Sequence, residues 1–390
     1  GIIVIDKKFA KIIPLIGIHQ TVCKDIAIKL ANLFNGDLVM TNNSIFEKCL
    51  DLDAFGRDWG WDRSGSMKNW SDLVIKQSNK QQIFVKQYSG NKVWKESESG
   101  KKIKSLSNKE KVEKEENTFF ISTKNQHRVA WHPSTLWVGI GCERNTSAEF
   151  IEDCLNKLLS KCELSSSSIA GLATVDIKKD EKALIDISNA KNWPIKFFKN
   201  EELHIVDVPN PSKIVFKEIG TVSVAEAASL LACGNEGGHL LIEKNIFKHK
   251  DPSGRNLGAV TIAIAESKQQ FAPERGFVHV IGSGPGDLSY LTSESKAALS
   301  QCSVWIGYKR YLDLLNPLKR DDQVRINSEL TQEKERCLDA ISLAQQGIKV
   351  ALISSGDAGI YGMAGLLIEL IQKIDFQLRP SFAIHPGISS

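Results

Sequence analysis

The stretch that decides the fold is Phe277-Val278-His279-Val280-Ile281-Gly282-Ser283-Gly284-Pro285-Gly286-Asp287. Its apolar start reads as a strand, and glycines at a strand's carboxyl end let the backbone approach a ligand closely. Open α/β sheets bind ligands at that edge. The string departs from the dinucleotide pattern G-x-G-x-x-G, because Asp287 stands where the third glycine belongs, and it lacks the Gly-Lys-Ser/Thr of a phosphate loop. Pro285 stiffens the loop, which suits a fixed ledge better than a phosphate cradle. Taken alone, Gly282–Asp287 fits a plain tight turn as well as a cofactor loop.

Two further glycine-rich strings lie downstream. Ser354-Ser355-Gly356-Asp357-Ala358-Gly359-Ile360-Tyr361-Gly362 follows the apolar strand Lys349–Ile353, and Pro386-Gly387-Ile388-Ser389-Ser390 follows the strand Phe382–Ile384. Between them the pattern predicts strand Ser303–Ile306 and helices over Thr292–Leu299, Gln332–Gln345 and Met363–Gln372. If the strands are parallel, the three loops converge on one crevice. The final string, a strand and turn with no capping helix, reads as the cut end of a longer domain.

Upstream, the same alternation recurs. Strand Leu136–Gly141 enters a turn, and Thr146 with Glu149 three residues on reads as a capping box before Phe150, Ile151, Cys154, Leu155 and Leu158. Strand Ile169–Val175, a helix over 180–189, strand PIKFF, helix Val224–Ala232 and the strands HLLIE and AVTIAIA complete an open α/β unit. The beginning of the chain predicts strands Ile2–Ile5 and Lys11–Ile16, a helix Val22–Phe34 stopped by Asn35-Gly36, and a short strand LVMT. Trp59, Trp61, Trp70 and Trp94 lie in Gly/Asp/Ser-rich sequence and read as surface-loop anchors that bury a large ring. Residues 95–117 are rich in Lys and Glu and poor in core-forming side chains, so a flexible linker is expected there. The expected divisions are 1–95, a charged linker 96–133, an α/β domain 134–270, and an incomplete α/β lobe 274–390.

Composition narrows the function. The 390 residues are 42% hydrophobic and 25% charged with a net charge of +4, within the ordinary range for globular proteins, and no arginine-rich face argues for nucleic acid. The eight cysteines form no CxxC and no finger spacing with histidine, so a protein-held metal is not expected and a reducing, cytoplasmic setting is. No run of 18 apolar residues predicts a membrane span.

The strings VIGSGPGDLSYLTSESKAAL, VWIGYKRYLDLL and VALISSGDAGIYGMAGLLIEL resemble precorrin-3B C-17 methyltransferases, tetrapyrrole methylases of vitamin B12 biosynthesis, over about Gly276 to Ser390. That family has two α/β lobes with S-adenosylmethionine between them. The resemblance implies that Gly282, Gly284, Pro285, Gly286, Asp287, Gly356, Asp357, Gly359, Ile360, Tyr361, Ser389 and Ser390 line the methyl-donor cleft, with the second lobe absent from this sequence. It also implies methylation coupled to ring contraction, with Asp287, Asp357, Tyr361 and His385 as unranked candidates for moving protons. A dimer through the methyltransferase lobes is implied as well.

VGIGCERNTSAEFIEDCLNKLL, LATVDIKKDEKALIDIS, FFKNEEL, VPNPSKIV and GTVSVAEAASLLACG resemble the C-terminal domain of cobalt-precorrin-5A hydrolases, over Leu136 to Ser267. Those enzymes open a corrinoid lactone and release acetaldehyde. IIPLIGIHQ resembles the preceding part of the same family, although Gln20-Thr21-Val22-Cys23 replaces its usual Gly-rich run. Lactone opening needs a nucleophile or activated water and oxyanion donors. Cys142, Glu143 and Arg144 at the strand-to-helix turn are candidates, and His19 is another. For each, a structural role fits equally: a packed thiol, a helix-start charge, a buried histidine.

The expected fold is therefore α/β and multidomain: hydrolase-type cobalamin-biosynthesis domains followed by the first α/β lobe of a tetrapyrrole methylase. The expected activity is a fusion of methyltransferase and lactone hydrolase acting on a small-molecule corrinoid, with S-adenosylmethionine as co-substrate and cobalt only as part of the substrate. A non-catalytic corrinoid carrier is the alternative. An NAD enzyme would place an acidic residue after the second strand, where Lys309-Arg310 stands instead.

Overall fold

The computed structural model describes residues 2–16, 21–39, 49–107, 115–212, 216–217, 220–250, 253–254, 256–360 and 362–389. The described strands form four sheets. At the beginning, β1 (Ile2–Ile5) and β2 (Lys11–Ile16) pair antiparallel, and β3 (Asp37–Leu38) joins β2 in parallel. Helix Thr21–Phe34 covers them through Ala27 and Ala31 against Ile12. It stops where expected: Asn35 takes a left-handed φ of 53° and Gly36 N–H returns to Ala31 O at 2.9 Å. His19, Gln20 and the Met40-Thr41 half of LVMT lie outside the described residues.

The second sheet corrects the expected linker. Strands β4 (Asp62–Ser64), β5 (Phe84–Gln87), β6 (Lys104–Ser105), β7 (Thr118–Ile121) and β8 (Ala130–His132) assemble in the order β4-β8-β7-β5-β6. Every residue of β7 and β8 is buried, so the end of the region expected to be flexible over 96–133 is packed structure. Trp59, Trp61, Trp70 and Trp94 are no more than 2% exposed, so their rings are buried as expected, within a shared core rather than beneath single surface loops. Phe55 sits 5.1–5.9 Å from the rings of Trp61, Trp94, Phe119 and Trp131, forming an aromatic core. Each such ring contributes about 1.5–3 kcal/mol on burial, which short strands cannot supply through backbone pairing alone.

The third sheet runs β11-β10-β9-β13-β12, built from β9 (Leu136–Cys142), β10 (Ile169–Val175), β11 (Ile195–Phe198), β12 (Gly238–Lys250) and β13 (Asn256–Ser267). β9, β10 and β11 are parallel, and β13 closes antiparallel on β9. Helix Ala148–Lys161 begins one residue later than the capping box implies: Ser147, not Thr146, accepts from Phe150 N–H, and Thr146 donates instead to Glu143 O.

The fourth sheet is wholly parallel, in the order β16-β15-β17-β14-β18, with β14 (Phe277–Gly282), β15 (Val304–Tyr308), β16 (Val324–Ser328), β17 (Lys349–Ser354) and β18 (Ser381–His385). Strand alternation sorts its core. Val278, Val280, Val304, Ile306, Val350 and Leu352 face helices Glu333–Gln345 and Ala364–Gln372, while Ile281, Trp305, Ala351 and Ile353 face helix Ser293–Gln301.

The second and fourth sheets share one hydrophobic core rather than hanging as separate beads. Gln270 joins them. Its buried side chain accepts from Trp61 Nε1 at 2.7 Å and Asn91 N–H at 2.9 Å and donates to Trp59 O at 2.8 Å and to Gln346 O. Ser303 Oγ adds a bond to Asp58 O at 2.7 Å.

Candidate functional site

In the parallel sheet, β14 lies between β17 and β18, so the loops after these three strands leave the same edge side by side. They meet. Gly284 and Gly356 exchange two N–H···O bonds of 3.1 Å, and Ser283 N–H donates to Ser354 O at 2.8 Å. A Cβ on Gly282 would lie 2.6 Å from Gly356 O and 2.7 Å from Gly387 N, so only glycine lets the three loops touch. Gly284 (φ 68°) and Gly286 (φ 116°) adopt the left-handed region. A Cβ on Gly284 would sit at ordinary contact distance, 3.8 Å from Tyr290 and 3.9 Å from Ile388 N, so at this buried glycine a side chain would strain the left-handed backbone rather than the packing.

The acidic candidates act within these loops. Asp287 Oδ1 accepts from Ser289 N–H and Ser289 Oγ, both at 2.7 Å, and those bonds hold its carboxyl below the usual range. Asp357 spans two loops: Oδ1 accepts from Gly359 N–H at 2.8 Å and Oδ2 from Gly387 N–H at 3.1 Å. Pro285, Ile360 and Ser389 are exposed around the crevice, with Ile360 57% open to solvent. Tyr361 and Ser390 lie outside the described residues. His385, at the entrance of the third loop, is buried and bonded on both ring nitrogens, to His279 and Glu294. Sequence reading passed over His279 and Glu294; their link is made only by strand pairing and the adjoining helix.

In the third sheet, Cys142, Glu143 and Arg144 cluster at the carboxyl end of β9. Burial pushes the Cys142 thiol up to about 11, so almost none is thiolate at neutral pH and it is not poised as a nucleophile. Arg144 reaches the turn after β10, with Nη1 2.6 Å from Asp180 Oδ1 and Nη2 2.6 Å from Ile177 O. Glu181, unread in the sequence, is buried there and accepts from Lys178 Nζ at 3.1 Å and Asn145 N–H at 3.2 Å. The Lys178-x-x-Glu181 spacing after a strand end was its available signal. These bonds fasten two loops together, and Arg144 serves that joint. Glu143 contributes its N–H to Ala259 O at 2.9 Å.

Among the described residues no group of His, Cys, Asp and Glu is arranged to hold a metal, and no helix is long and apolar enough to cross a membrane.

A parallel α/β lobe with three touching glycine loops at one sheet edge, joined to a second α/β unit, defines a multidomain α/β protein. Residues 278–390 match the family described as tetrapyrrole (corrin/porphyrin) methylases, and residues 136–265 match cobalamin synthesis G C-terminus. Two separate parts of the chain thus match two different families, each over less than half of its length.

Individual relatives agree with that division. The chain is 27% identical over 278 residues to cobalt-precorrin-5A hydrolase of Priestia megaterium, covering 68% of this chain and 71% of that protein. It is 51% identical over 113 residues to the probable cobalt-factor III C(17)-methyltransferase of Salmonella typhimurium, covering 28% of this chain and 45% of the relative. The solved methyltransferase CobJ aligns at 29% identity over 30% of this chain and 47% of its own, with a TM-score of 0.27. The chain thus spans less than half the length of these methyltransferases.

Proposed function

We propose that this chain is a cytoplasmic enzyme of cobalamin biosynthesis with two activities. One is S-adenosylmethionine-dependent methylation at C-17 of precorrin-3B or cobalt-factor III, with contraction of the macrocycle. The other is hydrolysis of the lactone of cobalt-precorrin-5A, a reading supported by the 278-residue likeness to that hydrolase. Cobalt enters as part of the substrate. Association into a dimer through the methylase region belongs to the same reading.

The observation that carries the first activity is the meeting of Gly282, Gly356 and Gly387 at one edge of the parallel sheet. Bound S-adenosylmethionine supplies an electrophilic methyl group. The chain's residues bind and align it. Gly282, Gly284, Gly286, Gly356 and Gly359 bring bare backbone to the ligand, and Pro285 fixes the path of the first loop. Asp287 holds that loop's turn, and Asp357 ties the second loop to the third. Ile360, Tyr361, Ser389 and Ser390 complete the proposed lining. Holding the methyl in line with a nucleophilic ring carbon accounts for up to about 7–11 kcal/mol of the barrier.

The test is calorimetric titration with S-adenosylmethionine, absorbance titration with cobalt-factor III, and mass spectrometry of the mixed reaction. Binding of both ligands with a methylated product supports the reading. Binding of both without methyl transfer would make the chain a carrier, and absence of S-adenosylmethionine binding would remove the methylase assignment.

A further inference from the structure

The proposed hydrolase reaction needs a nucleophile, and Cys142 does not offer one. The second sheet does. At the β4–β8 pair, Ser64 Oγ lies 2.7 Å from His132 Nε2, and His132 Nδ1 lies 2.7 Å from Ser122 O. A carbonyl oxygen only accepts, so Nδ1 carries the proton. In the neutral ring Nε2 then presents its lone pair to the Ser64 hydroxyl, which is the relation of a nucleophile to its base. His132 is 1% exposed, and burial holds its pKa below the ordinary value against the opposing pull of the Ser122 bond and the Asp62 charge. The imidazole is therefore neutral and basic at neutral pH. Ser64 itself is only half-buried.

The surroundings suit the same chemistry. Ser64 ends a strand, Gly65 turns with φ 101°, and helix Met67–Ser78 begins directly after, capped by the Ser66 hydroxyl. A Cβ on Gly65 would lie 2.6 Å from Arg128 O, so the turn demands glycine for space as well as conformation. Asp62 shares a strand face with Ser64, pairs in register with His132, and forms part of the wall of a cavity of about 380 Å3. The cavity continues along Ser134, Ser166, Ser167 and Phe271; Ser64 and His132 do not line it, and Asp62 is the residue that adjoins both.

We infer that Ser64 and His132 form a nucleophile–base dyad that cleaves an ester or lactone. His132 Nε2 takes the proton as Ser64 Oγ bonds to the carbonyl carbon. The resulting tetrahedral adduct collapses with breakage of the carbon–alkoxy bond, and His132 returns the proton to the departing alkoxide. Water then attacks the acyl-serine, giving one proton to Nε2, and Ser64 leaves carrying that proton. The sum is ester plus water to carboxylic acid plus alcohol, with no other reactant. This inference deepens the hydrolase half of the proposed function. Its test uses no corrinoid, so failure here is separate from failure of that reading.

The full chain is treated with a fluorophosphonate probe and digested with trypsin, which frees Ser64–Lys68 after Arg63, and fragmentation distinguishes Ser64 from Ser66. Hydrolysis of p-nitrophenyl acetate is followed in parallel. We expect label on Ser64, and a rate that falls about 100-fold or more in Ser64→Ala and in His132→Gln with unchanged circular dichroism. Failure of the folded wild-type chain to label at Ser64, or retention of the rate by folded Ser64→Ala, would overturn the dyad. If the variants do not fold, the wild-type label decides alone.

Discussion

His279 Nδ1 lies 2.9 Å from His385 Nε2, and the far nitrogen of His385 lies 2.8 Å from Glu294 Oε1. This chain of three side chains ties β14 to the end of β18 and to helix Ser293–Gln301, and so anchors the strand that delivers the third glycine loop. Burial, with the neighbouring His385 and Lys349 charges, lowers the His279 pKa to about 4. Its folded value lies below its unfolded value of about 6.5, so its contribution to stability is present above pH 6.5 and is lost as the pH falls toward 4. The loss amounts to at most about 3 kcal/mol. Urea unfolding from pH 7 to pH 4 measures it, and His279→Gln is expected to flatten the profile.

Gly282→Ala and Gly284→Ala separate packing from binding. The first places a methyl 2.6 Å from Gly356 O and is expected to cost about 1–3 kcal/mol of stability. The second meets only ordinary contacts at 3.8–3.9 Å and costs about 1–2 kcal/mol for its left-handed backbone, in the loop proposed to hold the ligand. Thermal unfolding beside calorimetry with S-adenosylmethionine should show weaker binding per unit of lost stability in Gly284→Ala.

Asp357→Ala removes the bond to Gly387 that ties the second loop to the third, and the bond to Gly359 within the second loop. Hydrogen exchange at 386–389 is expected to quicken, with a cost in ligand binding of about 1.5–3 kcal/mol. Unchanged exchange there would show that the loops are held by other means.

Gln270→Ala strips four bonds from the seam between the second and fourth sheets. Buried donors and acceptors left without partners cost about 1–3 kcal/mol each, so the unfolding midpoint in urea should fall clearly. Limited proteolysis near Trp59–Trp61 should speed up.

Cys142→Ser should leave ester hydrolysis unchanged, because the thiol near pKa 11 is protonated at neutral pH. A large fall in rate would return Cys142 to the reaction.

The fourth and third sheets were legible because their strands are long apolar runs ending in glycine or capping residues. Strand Ile169–Val175 matches its predicted limits. The convergence of the loops after Ile281, Ile353 and Ile384 was legible too, since parallel order alone brings them together. Strand Val324–Ser328 and helices Met67–Ser78 and Lys309–Leu315 escaped, being short or mostly polar. The second sheet was hidden more deeply. Trp94 and Ile103 are buried within a Lys- and Glu-rich sequence, and the core around Phe55 is assembled from rings far apart in the chain. Local composition described the solvent face of that segment and missed its few buried anchors. The Ser64–His132 pair was invisible for the same reason, since it depends on the β4–β8 register across 68 residues.

Hydrogen exchange with and without S-adenosylmethionine tests the central claim most directly. The account predicts new protection at the backbone amides of 282–287, 355–360 and 387–389 together, and little change in the second and third sheets. Absence of protection at these loops at saturating ligand, or protection confined to another part of the chain, would contradict it.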